Sequence, residues 1–259
     1  FCVMPFKEIY SNTKGRYKLC CHANPSEFKV EDYTPFDYFF SDQIKDTRLK
    51  FLLNEKPKAC DICWKIEKLN GKSWRQIYNE MYGEKYKDIK ISLKLQGIGT
   101  NFCNLSCYMC YPSNSSTKDN ETKEIFTDNE IRKVWFGDKP TTVNFKRYNE
   151  IVENILKNIH HVNIIRLLGG EPLQLPKHWE LLKRIPDKAA KNIRISYDTN
   201  LTSLTWKNYS LDWVRKKFKE VKLGISCDHF GKKLKYIRYP IDVKKFEKNL
   251  KKIKDDNYK

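Results

Sequence analysis

The sequence contains no long apolar run, and this absence sets the first limit on the protein. No stretch of roughly 18 consecutive apolar residues occurs, so a transmembrane helix is excluded. The opening residues, FCVMPF, lack the charged segment and the longer apolar segment of a signal peptide. Internal repeats and low-complexity tracts are also missing. We therefore expect a globular protein that does not contact a membrane.

A starting methionine is missing as well, since the chain begins with Phe1, and we expect a piece of a longer gene product. The 259 residues are 40% apolar, 14% aromatic and 32% charged. This composition is typical of globular proteins with a sizeable core, and the length leaves room for two domains.

Acidic residues are scarce relative to basic ones, and the net charge is +18. Much of the surplus lies near the end, where residues 215–259 carry 16 Lys and Arg against 6 Asp and Glu, a difference of +10. A basic face attracts nucleic acid or acidic substrates. The same lysines equally fit the solvated surfaces of helices, so both interpretations stay open.

The nine cysteines are an odd number and come in tight groups rather than in spaced pairs. Disulfide scaffolds belong to short secreted chains, whereas grouped thiols in a longer chain indicate metal binding. We therefore expect a reducing compartment. Cys227 stands alone at the end of a predicted strand, and we expect it to be a small buried residue.

Two segments of different character follow one another. Residues 1–85 carry a hairpin pattern around Thr13-Lys14-Gly15, a helical pattern that begins after Ser41 and another that ends at Gly71. From about residue 86, β-branched runs alternate with helical patterns, which is typical of parallel strands joined by crossover helices. The prediction is a small α+β domain over 1–85 and an α/β domain over 86–259.

The second segment contains four predicted strands, three predicted helices and one polar stretch that we interpret as a surface loop. The strands are 89–95, 162–168, 192–198 and 221–227, the helices are 147–159, 178–185 and 210–218, and the loop is 113–124.

Unusual residues follow each of the four strands. The groups are FCNLSCYMC (102–110), GGEP (169–172), Thr199-Asn200, and Ser226 with Asp228. In β/α barrels and related open sheets, active sites are built from loops at the carboxyl ends of parallel strands. We therefore expect all four groups to meet at one rim.

Cys103, Cys107 and Cys110 are spaced C-x3-C-x2-C, with no fourth cysteine nearby. A structural zinc site needs four ligands in a closed sphere. A [4Fe–4S] cluster held by Cys thiolates normally takes four, so a cluster held by three has one iron free for another ligand. The spacing therefore predicts a cluster whose fourth iron faces the substrate, although a zinc knuckle with one ligand elsewhere has similar spacing.

The cysteine triplet after the first strand, followed by GGEP after the second, resembles the radical SAM superfamily. The resemblance implies that Cys103, Cys107 and Cys110 ligate a [4Fe–4S] cluster. It also implies that the free iron binds S-adenosylmethionine (SAM), which is split by an electron to give a 5′-deoxyadenosyl radical. The cofactor supplies the difficult chemistry, while the protein supplies binding and orientation.

The same resemblance assigns residues to SAM binding. Met109 stands where the family usually has an aromatic beside the adenine, Gly169, Gly170 and Glu171 match the motif that receives the SAM amino group, and Asn200 matches a polar position near the ribose. Ser226, Asp228 and Arg238 resemble the late motifs that hold ribose and carboxylate. The alternatives are a turn-forming role for Asn200, a helix cap for Ser226 and Asp228, and a surface ion pair for Arg238.

The first segment resembles a twitch or SPASM-type auxiliary cluster domain, in an order seen in proteins common in bacteriophage genomes. This implies a second [4Fe–4S] cluster held by four cysteines, namely Cys2, Cys20 (or Cys21), Cys60 and Cys63. The Cys60-x2-Cys63 spacing permits a zinc ribbon as well. The fold that follows is a partial (β/α) barrel, since four of about six β/α units are present, preceded by the cysteine-rich domain.

Three functions are consistent with these patterns. The first is a radical SAM enzyme that modifies a peptide or protein and takes electrons from a donor such as flavodoxin or ferredoxin. The second is a radical SAM enzyme that acts on nucleic acid through the basic C-terminal region. The third is a non-enzymatic zinc-binding module. We expect a cytoplasmic location, which the phage association extends to an infected bacterial host.

Overall fold

The structure is a computed structural model that describes residues 1–24, 28–83, 90–97, 100–136, 144–256 and 258. In this part of the chain, no helix is long and apolar enough to cross a membrane. The strands of the described residues are β1 (Glu8–Ser11), β2 (Tyr17–Lys18), β3 (Ile91–Gln96), β4 (Val162–Leu168), β5 (Arg194–Thr199), β6 (Thr205–Trp206), β7 (Tyr209–Ser210) and β8 (Glu220–Ile225).

The helices of the same residues lie before, between and after these strands. They are α1 (Met4–Lys7), α2 (Pro35–Phe40), α3 (Asp42–Leu52), α4 (Asp61–Lys68), α5 (Trp74–Tyr82), α6 (Ser116–Ile125), α7 (Asn129–Phe136), α8 (Phe145–Lys157), α9 (Pro176–Arg184), α10 (Asp187–Ala190), α11 (Leu211–Lys217), α12 (Gly231–Ile237) and α13 (Val243–Asp255).

A six-stranded sheet in the order β2-β1-β3-β4-β5-β8 organises the fold. All neighbours in it are parallel except β1 and β2, which form the hairpin predicted around Gly15. The four predicted strands of the second segment are β3, β4, β5 and β8, and the predicted helices are α8, α9 and α11. The prediction of a mixed α/β fold with parallel strands is therefore confirmed.

The sheet also extends across the predicted division of the chain. Strand β1, from the first segment, pairs in parallel with β3, from the second. The boundary predicted at residue 85 lies within 84–89, outside the described residues. A separate auxiliary domain and a partial barrel both stay predictions, but the sheet itself is shared by the two segments.

The two faces of the sheet have different chemistry because side chains alternate along each strand. One row across β1, β3, β4, β5 and β8 is apolar and at most 4% exposed, and it packs in the core with α8 and α9. It consists of Ile9, Leu93, Ile165, Ile195 and Val221. The next row is mostly polar, and it consists of Tyr10, Lys94, Arg166, Ser196 and Lys222.

The polar stretch 113–124 is not a loop, so that prediction was wrong. Most of it forms α6, which Ser115 caps by accepting a hydrogen bond from the Lys118 amide. The helix is anchored by Asp119, which is buried and forms an ion pair of 2.8 Å with Arg132. The N-cap, this buried ion pair and hydrogen bonds from the Ser116 and Thr117 hydroxyls to the Cys103 carbonyl thus hold a helix that has almost no apolar face.

Three smaller predictions have mixed outcomes. Ser41 caps α3 as expected, with its side chain accepting from the Ile44 amide. The helix that was predicted to end at Gly71 is α4, and it ends at Lys68, because Asn70 takes the left-handed conformation at φ 56°. The Gly71 amide then donates to the Ile66 carbonyl, which completes a Schellman-type end. Cys227 is exposed rather than buried, so that expectation was also wrong.

Candidate functional site

The cysteine loop follows β3 and is held from two sides by backbone hydrogen bonds. On one side, the Glu171 amide donates to the Phe102 carbonyl at 2.8 Å, next to the end of β4. On the other side, the amides of Ser106 and Tyr108 donate to carbonyls at the end of α12, at 2.6 and 2.8 Å. The loop is therefore fixed between the GGEP segment and α12.

A cavity of about 230 Å³ opens at this rim of the sheet. Eight of the eleven predicted site residues of the second segment line it, and they are Cys103, Cys107, Met109, Cys110, Gly170, Asn200, Ser226 and Arg238. Gly169, Glu171 and Asp228 are not part of the lining, and Asp228 is exposed. The convergence of the four strand ends, expected from the sequence, is present.

The three thiols of the loop are free, and Cys103 and Cys107 are buried. Burial raises the pKa of the Cys103 thiol to about 12, and it also raises the pKa values of Cys107 and Cys110. The thiols are thus protonated near neutral pH unless a metal displaces the proton. Across the described residues, no three His, Cys, Asp or Glu side chains converge closely enough to hold a single metal ion.

The Glu171 carboxylate is not available to a ligand in the cavity. It is 1% exposed and accepts hydrogen bonds from the Thr199 hydroxyl at 2.6 Å, the Asn200 amide at 2.7 Å and the Leu173 amide at 3.1 Å. Burial raises its pKa to about 7 in spite of these three donors. The resemblance implied that this side chain receives the SAM amino group; in the structure, Glu171 ties the end of β4 to the end of β5.

The two glycines of the GGEP segment have a steric role that the sequence did not reveal. Both have left-handed backbone, with φ 77° at Gly169 and 59° at Gly170. A Cβ at Gly170 would lie 2.1 Å from the Phe102 carbonyl oxygen, and one at Gly169 would lie 2.1 Å from the Gln96 side chain. Gly170 is thus required for the close approach of the cysteine loop, as well as lining the cavity.

Asn200 and Arg238 both contact cysteine sulfurs. The Asn200 amide nitrogen is 3.9 Å from the Cys103 Sγ, and an Arg238 guanidinium nitrogen is 3.8 Å from the Cys107 Sγ. Arg238 also pairs with Asp228 through its Nε. The guanidinium counteracts the effect of burial on the pKa of Cys107.

Asp198 lines the cavity but was not singled out in the sequence. It accepts a bidentate interaction from Arg166 on the neighbouring strand, with contacts of 2.7 to 3.1 Å. A Cβ at Gly224 on β8 would lie 2.5 Å from its Oδ1, so the glycine makes room for the carboxylate. The sequence could have indicated Asp198, because it is an acidic residue near the end of a predicted strand, two residues before Asn200.

A second cavity, of about 20 Å³, lies in the first segment. The four cysteines predicted there all line it, together with His22, Trp74, Arg75 and Tyr78, and they are Cys2, Cys20, Cys60 and Cys63. Cys21 is turned aside, with its sulfur 3.9 Å from the Tyr78 hydroxyl. Burial raises the pKa of Cys2 to about 11 and of Cys20 to about 12.

A largely parallel sheet with a thiol-lined cavity at the carboxyl ends of its strands defines an α/β protein of the cofactor-dependent type. A sequence model of the Radical SAM superfamily matches residues 98–259, more than half of the 259-residue chain. The chain therefore belongs to the radical SAM superfamily. It is an enzyme of this class, which uses a [4Fe–4S] cluster and SAM in radical chemistry, and the interpretation as a non-enzymatic zinc module is set aside.

No curated protein and no solved structure matched the chain. The residues present fit the two cofactors, because three free thiols on one loop are the donor set that a Cys-ligated cluster needs. Polar side chains share the same cavity, which gives a second molecule groups to bind.

Proposed function

We propose that Cys103, Cys107 and Cys110 hold the [4Fe–4S] cluster and that SAM binds beside it in the larger cavity. The observation that carries this proposal is the shared lining: three thiols and the polar groups of Asn200 and Ser226 face one space. When bound, the cluster and SAM supply a 5′-deoxyadenosyl radical that removes a hydrogen atom from the substrate.

The chain's own residues bind and orient the cofactors in this proposal. Gly170 lets the backbone approach closely, and Met109 supplies an apolar surface that is 51% exposed. Asn200 and Ser226 offer hydrogen-bonding groups. We assign the acceptor for a cationic group of SAM to Asp198 instead of Glu171, because the Asp198 carboxylate lines the cavity.

We further propose that Cys2, Cys20, Cys60 and Cys63 hold a second metal centre, as in an auxiliary cluster domain of the twitch or SPASM type. Support comes from the common cavity of the four thiols and from the exclusion of Cys21. A [4Fe–4S] cluster is the favoured occupant, because each of its irons needs only one thiolate. A zinc ion is the alternative, and it would require the four thiolates to move closer together, since no three of them converge on one point.

The proposed substrate is a peptide or protein, since enzymes with such auxiliary domains often modify polypeptides; this rests on analogy. Nucleic acid is the second candidate, which the exposed lysines of α13 favour. A gel shift at two salt concentrations separates them: binding of RNA or DNA that weakens steeply with salt supports nucleic acid.

We also propose an external one-electron donor such as flavodoxin or ferredoxin, acting in a reducing cytoplasm. Exposed aromatic side chains surround the cysteine loop, among them Tyr108, Tyr236 and Tyr239. Lys232, Lys233 and Lys235 are exposed on α12 beside them. An apolar patch with adjacent cations suits a transient contact with an acidic carrier.

Anaerobic reconstitution tests the central proposal. We expect the parent to bind iron and sulfide and to release 5′-deoxyadenosine from SAM under reducing conditions. The variant with Cys103, Cys107 and Cys110 replaced by Ala should release none, yet keep about half of the iron if the second centre is also a cubane. Cys227→Ala, at an exposed cysteine outside both cavities, is the control. Continued SAM cleavage by the triple variant would overturn the assignment.

A further inference from the structure

Among the residues that the structure describes, two of the three thiols of the larger cavity have a side-chain N–H donor against their sulfur, and the Cys110 thiol has none. Asn200 Nδ2 lies 3.9 Å from Cys103 Sγ, and Arg238 Nη1 lies 3.8 Å from Cys107 Sγ. The Cys110 sulfur instead contacts the carbonyl oxygen of Tyr111, at 3.6 Å. Both N–H donors are far from the cysteines in sequence, since Asn200 follows β5 and Arg238 follows α12.

Both donors are held in place by other contacts. The Asn200 side chain also donates to Asn104 at 3.1 Å, while its oxygen accepts from the Thr202 amide and hydroxyl at 3.0 and 2.7 Å. The Arg238 side chain is 14% exposed and is oriented by its ion pair with Asp228. Neither group is free to rotate away from its sulfur at low cost.

We propose that Asn200 and Arg238 are positioning residues that set the reduction potential of the cluster through the sulfurs of Cys103 and Cys107. This inference rests on the proposed function, because it requires those cysteines to be the cluster ligands. It assigns to the two side chains a role toward sulfur that differs from the ribose and carboxylate contacts expected from the sequence.

The physical reason is the charge of the reduced state. One-electron reduction adds a negative charge that spreads over the cluster and its thiolates, and hydrogen bonds to the sulfurs are among the factors that set the potential. A donor, and above all a cation, stabilises the more negative state. Asp228 opposes this effect, because its carboxylate offsets part of the guanidinium charge.

The test is a redox titration of the reconstituted protein without SAM, followed by the electron paramagnetic resonance signal of the reduced cluster. Arg238→Gln replaces the guanidinium with a neutral amide, which keeps an N–H donor but removes the positive charge. We expect about a tenfold smaller equilibrium constant for reduction of the cluster, which is a shift of about 59 mV to lower potential. Asn200→Ala should shift the potential in the same direction by less. Asp228→Asn should shift it upward.

The control is Thr202→Val, which removes one partner of the Asn200 oxygen but leaves the Asn200 donor to Cys103. Its potential should equal that of the parent. Iron and sulfide content, measured first for every variant, separates a change of potential from a loss of the cluster. The variant with Cys103, Cys107 and Cys110 replaced by Ala gives the electron paramagnetic resonance signal of any second centre, which is subtracted from the signal of each other variant.

The results divide into three. The inference is supported if, at full iron content, the reduction potential is lower than that of the parent in Arg238→Gln and Asn200→Ala and higher in Asp228→Asn. Unchanged potentials at full iron content, or shifts of the same sign for Arg238→Gln and Asp228→Asn, overturn it and leave the proposed function intact. A parent without a cluster at Cys103, Cys107 and Cys110 overturns both.

Discussion

The two cysteine-lined cavities differ in size, in the number of thiols and in the rest of their walls. The larger one, of about 230 Å³, combines three thiols with Asp198, Asn200 and Arg238. The smaller one, of about 20 Å³, combines four thiols with a wall that includes Met4 and Trp74. The thiol count is therefore lower where the space is larger.

This contrast follows the distinction between closed and open metal sites. A site whose ligands all come from the protein needs no room beyond the metal, whereas a catalytic site keeps one position for another molecule. The larger cavity has one thiol fewer than a cubane needs, and it has polar side chains that a second molecule can bind. The smaller cavity has the full set of four.

The cavities also differ in how they are built. The larger one is assembled from loops at the ends of β3, β4, β5 and β8, which backbone hydrogen bonds hold together. The smaller one is enclosed by the chain start, the segment that follows β2, α4 and α5. Loops at strand ends can position side chains for a molecule that binds and leaves. Packed helices instead hold one fixed arrangement of metal ligands.

The largest expected effect separates the two centres by metal content. Replacing Cys60 and Cys63 by Ala removes two of the four thiols of the smaller cavity, so we expect that cavity to lose its metal. If both centres are cubanes, total iron falls by about half. Release of 5′-deoxyadenosine from SAM should continue, because the larger cavity keeps its three cysteines.

Element analysis with a SAM cleavage assay checks this prediction. Loss of zinc with iron unchanged would identify the smaller site as a zinc site. Loss of SAM cleavage at full iron occupancy of the larger cavity would show that the two cavities work as one unit, and the comparison above would fail.

The second prediction, with a smaller effect than the loss of a metal centre, concerns the close approach of the GGEP segment to the cysteine loop. It compares Gly170→Ala with Gly231→Ala as the control. Both glycines have left-handed backbone, at φ 59° and 58°, but a Cβ at Gly231 meets nothing within 4 Å. Gly231→Ala should therefore cost only the backbone strain, roughly 1–2 kcal/mol. Gly170→Ala must in addition displace the Phe102 carbonyl, so we expect a lower free energy of unfolding and lower iron retention.

Urea unfolding of the metal-free proteins and iron content after reconstitution check the pair. Equal effects for the two substitutions would mean that the close approach of GGEP to the cysteine loop is not needed to form the larger cavity.

Much of the fold could be predicted because strands and amphipathic helices leave periodic patterns. The four strands of the second segment and the Ser41 cap follow from local sequence. The helix α6 could not be predicted in this way, since a buried ion pair between Asp119 and Arg132 anchors it instead of an apolar face. That pair joins residues 13 positions apart and depends on tertiary contact.

The site shows the same limit. The sequence predicts which strand ends meet, but it does not reveal where each side chain points. Glu171 turns inward to three donors from other residues, and Asp198 takes the place at the cavity. Likewise, the sequence does not reveal that Cys20 lines the smaller cavity while its neighbour Cys21, which also follows β2, does not.

The third expected effect develops gradually with pH and is a difference in sign between two carboxyl groups, one near each cavity. Burial raises the pKa of Glu171 from an ordinary 4.5 to about 7. A hydrogen bond from Arg75, which lines the smaller cavity, lowers the pKa of Glu67. The native state thus binds more protons than the unfolded state at Glu171 and fewer at Glu67.

Stability should follow these signs. The contribution of Glu171 to the free energy of unfolding is lost as pH rises from about 4.5 to 7, by up to about 3 kcal/mol, whereas the contribution of Glu67 is lost as pH falls below its ordinary range. Glu171→Gln should therefore flatten a decline with pH, and Glu67→Gln should flatten a rise. Urea unfolding of metal-free, anaerobic protein from about pH 3 to 7.5 measures both slopes, with that of Glu67 in the acidic part of the range and that of Glu171 above it. A constant offset between parent and variant reflects hydrogen bonds alone, so a Glu171→Gln curve parallel to the parent would show that the pKa of this carboxyl is the same in the native and unfolded states.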